Sequence, residues 1–214
     1  MDALLPSLPL LAKGVVTTLY LSIASTALAT LLGIIFATIQ LFAWRPLKWI
    51  VEAYLYIMRG VPLLVLLFAM YYALPYAGIQ VEPVVGGIVV IGAYFGAFMT
   101  EVFRGAVLAV PKGQWEAGRA IGMRTPRILL DVVLVQALKV AGAPYINTMI
   151  MVVKGTSLVA VIGLADVTFV GRQIVERTLA PFEVFGAVAL VYFVICYALS
   201  RVGRHVEKKA SYAH

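Results

Sequence analysis

One lysine within an apolar stretch is the side chain best suited to binding a small anion. Lys154 lies 15 residues after Lys139, or about 22 Å along an ideal helix, near or beyond the middle of a membrane-spanning segment. Thr156 and Ser157 follow it with small hydroxyl groups, and Tyr94 stands in a separate apolar stretch. An ammonium group beside such groups can bind an amino acid's carboxylate. The alternative is a structural lysine that extends to the membrane surface.

A pair of opposite charges also lies within an apolar segment. Glu101 and Arg104 are three residues apart, which places them on one helix face at ion-pair distance. Charges inside such segments are costly unless they are paired or hydrated. The pair is therefore predicted either to hold helices together or to form a gate contact that rearranges between conformations. Glu52 and Arg59 are predicted to lie at a membrane interface, with Arg59 extending towards the headgroups.

A polar segment at residues 112–123 interrupts the apolar sequence and predicts a docking element. It is short enough to enter a groove on a partner protein. Glu116 and Arg119 stand at i and i+3, a spacing that favours a local ion pair. Gly118 and Gly122 predict two short helical turns rather than one helix. A plain hydrated loop is the alternative. The candidate docking residues are Gln114, Glu116, Ala117, Arg119 and Gly122.

The elements that position these residues follow from composition. Of the 214 residues, 63% are hydrophobic and 13% are charged, whereas a soluble domain has about 45–50% apolar residues. The chain is therefore predicted to be an all-α integral membrane protein with a single domain at 1–214. The net charge of the chain is +7. Cytoplasmic loops of membrane proteins are rich in Lys and Arg, so this charge does not indicate nucleic-acid binding.

No catalytic or metal site is expected, because His205, His214 and Cys196 are far from any matching ligand set.

The apolar runs predict about five transmembrane helices, at about 14–44, 51–76, 84–110, 140–165 and 182–200, since each crossing needs about 20 apolar residues. Lys and Arg concentrate at 45–48, at 104–127 and in the C-terminal tail. The positive-inside rule assigns these regions to the cytoplasm, with the N-terminus outside and the C-terminus inside. Residues 166–181 are predicted to form an external connection.

Several sequence blocks resemble a known family. Glu116-Ala117, with Gly122 five residues after Ala117, resembles the EAA loop of the membrane subunits of ABC importers. Around it, five further blocks resemble the polar amino-acid permeases of type I ABC importers, which include histidine, glutamine and arginine permeases. These blocks, in family order, are TTLYLS (17–22), RGVPLL (59–64), EVFRGA (101–106), QALK (136–139) and KGTSL (154–158).

The resemblance implies a permease subunit for a polar amino acid or a related compound, in the bacterial inner membrane. Residues 112–123 would be a coupling helix docked on a cytoplasmic ATP-binding subunit. That subunit would carry the ATP and Mg, because this chain has no phosphate-binding loop motif and is not itself expected to be an enzyme. The other implied partners are an identical or sister permease, an extracytoplasmic solute-binding protein and membrane lipid.

The alternative function is a channel or a structural subunit of a membrane complex. Two positions depart from the family pattern. Val135 stands where Pro is common, and Gly155 stands where Asp is common. The second departure removes a counter-charge beside Lys154.

Overall fold

The computed structural model describes the backbone of residues 5–211 and the side chains of residues 6–205. Within that range every regular element is helical. A 3-10 turn at Leu5–Ser7 leads directly into the first long helix. In chain order the helices are α1 Leu8–Phe42, α2 Arg45–Gly60, α3 Leu63–Tyr76, α4 Pro83–Leu108, α5 Lys112–Ala120, α6 Thr125–Ile162, α7 Val167–Thr178 and α8 Pro181–Ser211.

The helix lengths match a multi-pass membrane protein. Four helices of the described chain, α1, α4, α6 and α8, are long and apolar enough to cross a membrane, and α2 with α3 makes a fifth candidate. The predicted all-α membrane fold with about five spans is therefore confirmed. The region predicted as one span at 51–76 is instead a pair of helices bent by 102°. The bend falls at Val61 and Pro62, because proline cannot donate the backbone hydrogen bond that would continue α2.

Other helix boundaries differ from the sequence prediction where polar residues lie within helices. α6 begins at Thr125, well before the expected start near 140, and its first turns include a π-helical segment at Ile128–Val133. Asp131 and Lys139 gave this part of α6 the composition of a loop. Residues 167–178, expected within an external connection, form the twelve-residue helix α7. α1 begins at Leu8 rather than near 14, with Pro9 in its first turn, where no backbone N–H is needed.

The core lies between α1, α3, α4 and α6. Leu21, Leu67, Ile91, Met99 and Val152 are fully buried there. α1 packs most extensively on α4, and glycines allow the two backbones to approach closely, as is typical of membrane helices. A Cβ at Gly33 would lie only 2.6 Å from the Met99 Cβ.

Candidate functional site

The polar segment forms one helix, α5, of nine residues. Gly118 lies inside this helix and does not break it, so the expected pair of short turns is wrong. Gly122 ends the helix in the left-handed conformation with φ 78°. The Met123 N–H bonds to the Gly118 carbonyl and the Gly122 N–H bonds to the Arg119 carbonyl, both at 3.0 Å. This is a Schellman cap, in which glycine is the favoured residue, so Gly122 has a local structural role.

α5 is held against the beginning of α6. Gly118 is buried, and a Cβ at this position would lie 2.8 Å from the Ile128 Cγ1. Trp115 packs on the same cluster of buried aliphatic side chains. The amide Nε2 of Gln136 donates a hydrogen bond to Gln114 Oε1 at 3.2 Å. Since Gly118 leaves no gap between the helices, α5 and α6 are expected to move together.

The remaining docking candidates lie on the free side of α5. Glu116, Ala117 and Arg119 are exposed. The expected brace between Glu116 and Arg119 does not form, since neither residue belongs to an ion pair within the described part of the chain. Both charges are therefore available to another molecule. Gln114, by contrast, is already bonded to α6 and acts as a tether.

Glu101 and Arg104 form an ion pair on α4. The Arg104 guanidinium donates to Glu101 Oε2 at 2.6 Å, and both side chains are about one-third exposed. They line a groove between α2 and α4 together with Glu52 and Arg59. Arg59 is exposed, and its Cζ lies 5.9 Å from the centre of the Phe98 ring.

The residues around Lys154 lie where α6 changes from α-helix to a 3-10 segment. Lys154 is exposed, while Thr156 is fully buried. The Thr156 hydroxyl donates to the Val153 carbonyl at 2.8 Å, and the Ser157 hydroxyl donates to the Lys154 carbonyl at 2.7 Å. Both hydroxyl protons are thus used within the helix, so Lys154 is the group in this segment that remains free to donate to an anion.

Gly155, next to Lys154, packs against α4. A Cβ at Gly155 would lie 2.8 Å from the Phe95 ring, so an aspartate at this position would displace that ring. Tyr94 is half-buried and stands edge-on to Phe95, with ring centres 5.0 Å apart. Gly155 therefore packs against Phe95, the residue that follows Tyr94 on α4.

Sequence reasoning missed a buried carboxylate at the start of α7. Asp166 is fully buried and accepts hydrogen bonds from the Phe169 N–H at 2.8 Å and the Tyr192 hydroxyl at 3.0 Å. Burial raises the pKa of the Asp166 carboxyl, and the hydrogen bonds that it accepts oppose that rise. The Thr18 hydroxyl oxygen accepts the Val167 N–H at 3.1 Å. α1, α7 and α8 therefore meet at one polar junction. The sequence signal for it was an Asp directly before an amphipathic segment, which is typical of a helix N-cap.

Comparisons with known proteins agree with this architecture. The family model for the inner membrane component of binding-protein-dependent transport systems matches residues 29–212. The chain is 35% identical over 202 residues to the L-cystine transport system permease protein TcyB of Bacillus subtilis (strain 168), covering 94% of this chain and 86% of that protein. It is 32% identical over 210 residues to the glutamine transport system permease protein GlnP of Escherichia coli (strain K12), covering 97% and 96%.

Solved structures give the same result. A chain from the crystal structure of an amino acid ABC transporter with histidines superposes with a TM-score of 0.91 at 29% identity, covering 96% of each chain. A chain of the MetNI methionine ABC transporter in an inward facing conformation superposes with a TM-score of 0.73 at 23% identity, covering 94% of this chain and 98% of that one. The second likeness shows a shared fold.

Proposed function

Since the chain belongs to the family of inner membrane components of binding-protein-dependent transport systems, we propose that it is the permease subunit of an ATP-driven importer for a polar amino acid or a related compound. Hydrolysis of ATP, held with Mg by a separate cytoplasmic subunit, drives alternating access of a pathway through the membrane. The observation that carries this proposal is α5, a capped helix with free charges on one side and a glycine-packed contact with α6 on the other.

The coupling role follows from that geometry. A partner that binds Glu116, Ala117 and Arg119 displaces α5, and α5 transmits the displacement to α6 because Gly118 is in contact with Ile128. α6 carries Lys154 at its far end. Lys154 interacts with the substrate carboxylate, while Thr156, Ser157 and Tyr94 shape the surrounding pathway. Glu101 and Arg104 form either the gate contact or a structural pair.

Three further partners complete the assembly. A solute-binding protein delivers the amino acid from outside the cell, and a second permease, identical or a sister chain, completes the pathway. Lipid of the bacterial inner membrane surrounds α1 and α8, whose exposed side chains include many large apolar residues. The relatives named for L-cystine and glutamine support the substrate class.

Copurification and uptake test this proposal. The tagged chain should copurify with an ATPase in fixed stoichiometry, and vesicles containing the complex should accumulate radiolabelled amino acid only when ATP and the solute-binding protein are present. Flux of the same solute through the purified chain without ATP would contradict the importer and favour a channel.

Orientation makes a separate prediction. In a background in which Cys196 is replaced by alanine, a cysteine at Lys112 should react with a membrane-impermeant maleimide only from the cytoplasm. A cysteine at Glu82 or Glu176 should react only from outside, since the basic segments lie inside. All three positions are exposed, so access depends on the side of the membrane. Labelling of positions 112 and 176 from the same side would contradict the proposed topology.

A further inference from the structure

A groove with charges of both signs lies between α2 and α4. Its volume is about 630 Å³, and the polar side chains that line it are those of Gln40, Glu52, Tyr56, Arg59, Glu101 and Arg104. Phe98 adds an aromatic surface to the same wall. A site with carboxylates and guanidinium groups on one surface is suited to a small ligand that itself carries both charges.

Two of the four charges already neutralise each other. Glu101 and Arg104 are paired at 2.6 Å, and the pair leaves no net charge. Glu52 and Arg59 belong to no ion pair among the residues whose side chains are described. Arg59 lies over Phe98, and a ring at this distance attracts a cation without neutralising it. The groove thus offers one free carboxylate and one free guanidinium.

The two free charges lie on one face of α2. Glu52 and Arg59 are seven residues apart, which places them on the same face of the helix with their Cα atoms about 10.5 Å apart along its axis. Both side chains line the groove without pairing with each other, so each is available to one end of a small zwitterion. Arginine is also the side chain best shaped to bind a carboxylate through two parallel hydrogen bonds.

We propose that this groove is a second binding site for the transported amino acid, with its α-ammonium group at Glu52 and its α-carboxylate at Arg59. The inference rests on the proposed function, which supplies the substrate class. Phe98 also extends the groove along α4, because its ring centre lies 5.4 Å from that of Tyr94, one helical turn earlier. The aromatic surface of α4 therefore continues from the groove to Tyr94.

Equilibrium binding to the purified native complex, without the solute-binding protein, tests the site. Tritiated L-glutamine, L-arginine and L-histidine serve in turn as probes. Each is displaced by its own unlabelled form, its methyl ester, which lacks the carboxylate, and its N-acetyl derivative, which lacks the ammonium group. At least one probe should bind, and both derivatives should compete about tenfold less well than the free amino acid, a factor that corresponds to about 1.4 kcal/mol.

Single substitutions then assign each end of the ligand. In complexes that also carry Lys154→Met, so that the carboxylate site proposed at Lys154 does not contribute, Arg59→Gln should abolish the preference for the free acid over the ester while keeping the preference for the free amine. Glu52→Gln should do the reverse. Arg59→Lys, which keeps the charge but not the paired hydrogen bonds, should retain part of the acid preference. Arg172→Gln is the control, because Arg172 forms an exposed pair with Glu176 at 3.6 Å on α7, outside the groove.

Several results would contradict the proposed binding site. One is wild-type selectivity in both groove variants, and another is no binding of any probe to the wild-type complex. A phosphoethanolamine headgroup carries the same two charges, so glycerophosphoethanolamine is added as a competitor. Displacement by it as effective as that by the amino acid would identify a lipid site instead. ATP-dependent uptake by the same complex would leave the importer function intact in each case, whereas its absence would refute that function directly.

Discussion

Replacing Lys154 with methionine is expected to lower ATP-dependent amino-acid uptake about 30-fold, because a charge-assisted hydrogen bond contributes about 1.5–3 kcal/mol. Lys154 is exposed on α6, so a side chain of similar length fits without disturbing the core. The neighbouring hydroxyl protons of Thr156 and Ser157 are bonded to the helix backbone and cannot replace the lost donor. Initial rates of uptake into vesicles, with saturating solute-binding protein, give the measurement.

Lys139→Met provides the matched control. Lys139 is also exposed on α6, 15 residues earlier, and should tolerate the same substitution with less than twofold loss. Assembly of the complex and ATP hydrolysis without substrate should be unchanged in both variants. Normal uptake by Lys154→Met would mean that this lysine is a surface residue. Failure of the variant to assemble would show that it is structural.

Replacing Gly118 with valine is expected to reduce substrate-stimulated ATP hydrolysis to within about twofold of the basal rate. A Cβ at this position would lie 2.8 Å from the Ile128 Cγ1, so the larger side chain forces α5 away from α6. Overpacking of this kind costs about 1–3 kcal/mol, and we expect this cost to displace the nine-residue helix α5 from its contact with α6. The ATPase partner then moves a helix that no longer transmits its motion.

Gly113→Val is the control for Gly118→Val. Gly113 lies in the same helix, but a Cβ there would meet nothing within 4 Å, so stimulation should persist. Rescue gives a sharper test. Gly118→Ala should reduce stimulation moderately, and adding Ile128→Val should restore part of it by removing one methyl group from the contact. If Gly118→Val retained full stimulation, packing of α5 on α6 would have no part in coupling.

Much of the fold was predictable because long apolar helices are visible in composition alone. The bend of 102° after Gly60 was not predicted, because the apolar run continues through Val61 and Pro62 without a polar interruption. α7 was not recognised, since Arg172, Glu176 and Arg177 give residues 167–178 the composition of a loop. Its amphipathic pattern becomes meaningful only when Val167, Val170 and Ile174 are seen packed against α1 and α8.

The candidate site was predictable in identity but not in detail. The sequence indicated α5 through its motif, yet the role of Gly118 depends on Ile128, a partner ten residues away across a turn. Likewise, the close packing of Gly155 depends on Phe95, which lies on another helix. Glu52 and Arg59 were expected at an interface, and their common groove required the packing of α2 on α4.

The Asp166 junction makes one side of the protein mechanically stiff. The Asp166 carboxylate accepts hydrogen bonds from both α7 and α8, and the Thr18 hydroxyl oxygen on α1 accepts one from α7. If one of these helices tilts alone, a buried donor or acceptor loses its hydrogen-bond partner. Each such loss costs about 1–3 kcal/mol, and more for a charged group. α1, α7 and α8 should therefore move as one unit when the subunit changes shape.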